Sequence, residues 1–129
     1  MLNGAVTAAP PFTAPAIVDR VRAALEGADL DEFGALLSPD VQWGPPEEAK
    51  PPCRNREQVL SWYSRGRAAG TRATVTEISV HGDALVVGLL IDLGDGEAER
   101  WQILTVGPQG IRNIRGFPDR TSAVAHLGE

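Results

Sequence analysis

The sequence predicts an α+β domain in which amphipathic helices pack on one face of a curved antiparallel sheet. Three observations carry this. Apolar residues recur at three- and four-residue spacing through the first half, and at two-residue spacing from Thr71 onward. Turn signals at 82–83, 94–96 and 107–110 divide the second half into strand-length runs. One of those runs, ALVVGLLIDL, is apolar on both faces and therefore needs cover on both sides.

The elements follow in order. Residues 1–13 predict a flexible leader with a short apolar contact at Phe12, and 14–129 a single domain. Ile17, Val18, Val21, Ala24 and Leu25 form one helical stripe, with Pro15 in the first turn and Gly27 at the end. A second helix starts from Asp29 as N-cap, with Glu32 completing a capping box, and stops at Ser38-Pro39-Asp40. DVQW is a short strand, and the prolines of GPPEEAKPPC exclude regular structure after it. Asn55 caps a third helix carrying Val59, Leu60, Trp62, Tyr63 and Gly66, closed by Gly70.

Four antiparallel strands come next: TRATVTEISVH, ALVVGLLIDL, EAERWQILTV and IRNIRGF. In the first of them the parity of Val75 disagrees with that of Ile78 and Val80, which predicts a bulge near Thr76 or Glu77. A short helix from Asp119 to Leu127 completes the chain.

Composition narrows the function classes. The 129 residues carry a net charge of -5, with a single lysine and dispersed arginines, which argues against nucleic acid or an anionic membrane as partner. No apolar run is long enough to span a bilayer. A single cysteine, Cys53, forms no internal disulfide and fits a cytoplasmic location. Two histidines and no cysteine pair announce no metal site, and no phosphate-binding loop or other cofactor motif is present.

The order of elements, with AALEGADLDEFGALLSPDVQW, CRNREQVLSWY, HGDALVVGL and GPQGIRNIRGFPDRTSAVAHLG, resembles the SnoaL-like group of the nuclear transport factor 2-like superfamily. The resemblance implies a cone-shaped α+β barrel with an apolar pocket at its open end, and a homodimer through the outer face of the sheet. It also implies relatives as varied as ketosteroid isomerases, polyketide cyclases and epoxide hydrolases, so the fold alone does not supply a reaction.

Matched to the isomerases, the base falls at or beside Gly44, the tyrosine near Val21 and the acid near Gln102, and none has the required chemistry. The last strand, where cyclases hold an aspartate, has no acid. Asp119 just beyond it is a weak base candidate and a better helix N-cap. An Asp92, Arg100 and Asp119 cluster would imitate an epoxide hydrolase only if all three pointed inward. Gln102 interrupts an apolar strand, and a buried amide costs about 1–3 kcal/mol unless bonded, so it is the strongest polar anchor. Trp43, Trp62, Tyr63 and Phe117 are the aromatic lining candidates, and Trp101, on the opposite parity from Gln102, belongs to the outer face.

Cys53 reads as a packing residue at a helix entrance, because no histidine lies near it in sequence; His81 sits in a hairpin turn. Arg54 or Arg56 would clamp a carboxylate only if free of Glu47, Glu48 and Glu57. The expectation is a protein that binds a small hydrophobic molecule without a cofactor. The alternatives are a cofactor-independent cyclase, isomerase or hydrolase acting on a polyketide- or terpenoid-like substrate, and a dimeric scaffold without catalysis.

Overall fold

The computed structural model describes residues 12–27, 30–44, 54–68, 70, 72–92, 94 and 96–127. The elements are α1 (Ala14–Gly27), α2 (Leu30–Leu36), β1 (Leu37–Gly44), α3 (Arg56–Ala68), β2 (Arg72–His81), β3 (Ala84–Asp92), β4 (Glu97–Gly107), β5 (Gly110–Phe117) and α4 (Arg120–Leu127). The five strands form one open sheet in the order β1-β5-β4-β3-β2. β1 runs parallel to β5, and the remaining pairs are antiparallel.

The α1 stripe behaves as its periodicity demands: Ile17, Val21, Ala24 and Leu25 are buried, and Val18 is partly so. Phe12 packs against the same core. Asn55 caps α3, its Oδ1 accepting from the Gln58 N–H at 2.9 Å. Gly70, with φ of 92°, takes the left-handed conformation past the helix end. Asp29 and Cys53 lie outside the described residues.

β1 differs from the sequence expectation. It begins at Leu37, directly after the last residue of α2, and Ser38-Pro39-Asp40 belongs to the strand rather than to a stop. Leu37 is fully buried and opposite Ile111, and that long-range parallel pairing extends the strand backward. Pro39 is tolerated because β1 is an edge strand and the register shifts between Leu37 and Gln42.

The predicted bulge is present. Val75 pairs with Leu89 and Glu77 with Gly88, leaving Thr76 as the extra residue. The Val75 N–H at this irregularity donates to Glu26 Oε2 of α1 at 3.1 Å.

The sheet separates two apolar layers. On the inner face, α1, α2 and α3 cover Leu85, Val87, Leu89, Leu104 and Ile114. On the outer face, Ala123 and Leu127 of α4 pack against Ala84, Val86, Trp101, Ile103 and Phe117. β3 is therefore covered on both sides, as its doubly apolar sequence requires. Trp101 lies across Gly88, where a Cβ would stand 2.6 Å from the indole and 2.7 Å from Thr76 Oγ1. Among the described residues, no helix is long and apolar enough to cross a membrane.

Candidate functional site

Register places Gln102. It sits opposite Val87 on β3 and Gly116 on β5, so it shares the inner face with the main core. It is 8% exposed, one of two buried polar residues among those described. Trp43, opposite Ile114, also faces inward from the end of β1. Tyr63 descends from α3, three residues after Leu60 and four after Val59, and turns its ring to the same region.

The aromatic rings form a short stack. Tyr63 and Trp43 lie nearly parallel, with centroids 4.9 Å apart and planes at 20°. Phe33 meets Tyr63 edge-on at 4.7 Å. The Tyr63 ring is half-buried, but its hydroxyl oxygen is fully buried and has no partner at hydrogen-bond geometry among the described residues. Burial pushes the hydroxyl up to about 12, and the Gln102 side chain lies close enough to offset part of that shift. The group thus stays a neutral O–H donor across the physiological range.

Three sequence candidates, Trp43, Tyr63 and Gln102, therefore converge. Trp62 does not share their burial. It is 53% exposed, touches Trp43 edge-on at 5.9 Å and carries the Arg65 guanidinium 5.5 Å above its ring. Phe117 stands apart: it pairs with Trp101 and belongs to the outer layer, with His126 5.3 Å away. Trp101 faces outward as its parity predicts, yet α4 already covers it, and its Nε1 donates to Glu99 Oε2.

The acidic candidates stand elsewhere. Asp119 is exposed and caps α4, its Oδ1 accepting from the Ser122 N–H at 2.8 Å. That bond holds its carboxyl below the usual range. Asp92 is exposed at the end of β3, where Oδ1 accepts from the Gly94 N–H at 2.8 Å. Arg100 pairs with Leu89 and so points inward, while Asp92 follows the opposite parity and α4 lies on the outer side. The cluster of Asp92, Arg100 and Asp119 is therefore not assembled. Gly44 and Val21 are buried, as apolar positions should be. Arg56 is committed to the Leu37 carbonyl, with Nε at 3.2 Å and a terminal nitrogen at 2.8 Å. His81 is exposed beside Ser79, 3.0 Å away. Among the described residues, no three of His, Cys, Asp and Glu cluster as metal ligands.

A mixed five-stranded sheet with three helices on one face and an aromatic, mostly apolar inner wall is the arrangement of the cystatin-like, nuclear transport factor 2-like class of α+β proteins. The family model for the SnoaL-like domain matches residues 18–116, and the chain belongs to that family. A candidate ketosteroid isomerase from Kribbella flavida is 22% identical, with a TM-score of 0.71 over 83% of this chain and 78% of that chain. A candidate polyketide cyclase from Sinorhizobium meliloti is 19% identical, with a TM-score of 0.63 over 78% and 93%. An LEH-like epoxide hydrolase from Mycobacterium tuberculosis is 19% identical, with a TM-score of 0.63 over 82% of each chain. At these identities the likeness establishes the fold. No curated protein matches the sequence.

Proposed function

We propose that the protein binds a small, largely hydrophobic molecule whose hydrogen-bond acceptor, a carbonyl or its equivalent, meets Tyr63 and Gln102. The supporting observation is the Tyr63 hydroxyl: fully buried, neutral, without a partner among the described residues, and beside a buried amide. A donor held this way costs about 1–3 kcal/mol in the free protein, a cost that an incoming acceptor removes. Trp43, stacked on Tyr63, supplies an aromatic wall for the apolar body. None of the paired inward strand positions is Asp, Glu or His, which favours binding over proton transfer.

The test is titration with 4-acetylbiphenyl, an aryl ketone, followed by quenching of tryptophan fluorescence. Gln102→Leu is expected to weaken binding about 5- to 30-fold, equivalent to about 1–2 kcal/mol. Equal affinity in wild type and variant would remove Gln102 from the site.

A homodimer through the outer face belongs to this proposal. Because α4 covers the apolar outer positions, the contact would be built around α4, whose Val124 is 36% exposed. A monomeric mass by light scattering at working concentration would rule it out.

A further inference from the structure

The inner face of the sheet is polar at two of its paired positions, and both lie on β4. Gln102 opposes Val87 and Arg100 opposes Leu89, whereas every other paired inward position is apolar or glycine. The two are one strand repeat apart, about 6–7 Å along the chain direction. Arg100 lies beyond the end of β5, whose last paired residue, Phe117, stops at Trp101. Gln102 is buried there and Arg100 is exposed, so β4 carries a buried amide and then a solvated cation on one line out of the core. The Arg100 guanidinium donates to the carbonyl of Glu99 at 2.8 Å and makes no ion pair among the described residues. In a chain with a net charge of -5, an inward-directed arginine without a carboxylate partner among the described residues stands out.

We propose that the ligand carries an anionic group, of the carboxylate class, held by Arg100 at the open end of the inner face. This inference rests on the binding reading above and adds the ligand's charge and dimensions. The buried acceptor goes to Tyr63 and Gln102, the apolar body lies against Trp43, and the carboxylate stands about 6–9 Å from the acceptor, the strand repeat plus part of the side chain's reach. An oxo-acid with an aryl or alkyl body satisfies all three. Guanidinium suits the role because its planar fork pairs with both carboxylate oxygens, and because the site stays wet the carboxylate need not be desolvated. The gain is correspondingly modest and salt-sensitive.

The experiment compares 4-acetylbiphenyl with 4-(biphenyl-4-yl)-4-oxobutanoate, which keeps the aryl ketone and adds a carboxylate. At low ionic strength the wild type is expected to bind the oxo-acid about fivefold more tightly. That preference should shrink in 1 M salt and vanish in Arg100→Gln, while the neutral ketone changes less than twofold. Arg100 is exposed, so the variant keeps its fold, which circular dichroism checks. Equal binding of the two probes by wild type, or a preference retained in Arg100→Gln, overturns the assignment to Arg100 and leaves the binding reading standing. A wild type that binds neither probe overturns both.

Discussion

Replacing Tyr63 by phenylalanine separates stability from binding. The hydroxyl is buried without a hydrogen bond among the described residues, so its removal relieves a desolvation cost of about 1–3 kcal/mol. Gln102 recovers part of that cost in the wild type, which places the expected gain near the lower end, about 1 kcal/mol. The ring stack with Trp43 and Phe33 remains, because phenylalanine keeps the ring. For a chain of this length the gain corresponds to a rise in Tm of about 3 to 5 °C. Urea unfolding gives the free energy directly, and ketone binding should weaken in the same variant.

The pH dependence supplies a second readout. The folded hydroxyl ionises at about 12, against 10.0 in the unfolded chain. Above pH 10 the unfolded state releases a proton that the folded state keeps, so the wild type loses stability as pH rises from 10 to 12. The loss approaches about 2–3 kcal/mol, and Tyr63→Phe should be free of it. Tyr63 is the only tyrosine, so phenolate absorbance reports it alone. A variant destabilised by more than 1 kcal/mol, or a phenol that ionises near pH 10 while the protein is folded, would refute the buried, unpartnered hydroxyl.

Two further outcomes are expected. Gly88→Ala should destabilise by about 1–3 kcal/mol in urea unfolding, because the new methyl meets the Trp101 indole and Thr76 Oγ1. Asp119→Ala should lower Tm by loosening α4, with Asp119→Asn closer to wild type. The Asp119 carboxyl is held low, so its contribution is complete above the unfolded carboxylate range and fades as pH falls through the lowered value. A Tm difference between wild type and Asp119→Ala that does not change with acidification would contradict this.

Much of the architecture was legible where physics is local. The disagreement in parity between Val75 and Ile78 located the bulge, and Asn55 and Asp119 announced their helices because capping needs only residues nearby in sequence. The start of β1 was not legible: its parallel partner Ile111 is far away in sequence, and Ser-Pro-Asp reads locally as a stop. The site was legible in part. Gln102 interrupts an apolar run, and that signal survives in the structure as a buried inward amide. Trp62 shares the broad apolar arc of α3, but this helix packs against the β1 edge, and only the sector with Val59, Leu60 and Tyr63 is covered. Phe117 is three residues after Ile114 in an unbroken register, hence on the other face with Trp101. Arg100 has no apolar run around it to set it off, but its spacing of two from Gln102 puts both on one face of β4.

The two rims of the sheet are both blunted. On one, Pro39 supplies no amide hydrogen; on the other, a glutamate from α1 occupies the amide of Val75 at a kink in the strand. An extended peptide would find neither border a continuous template. Recruitment of further strands into a ribbon is thereby discouraged, which guards a small acidic protein with a strongly aliphatic interior strand against filament growth.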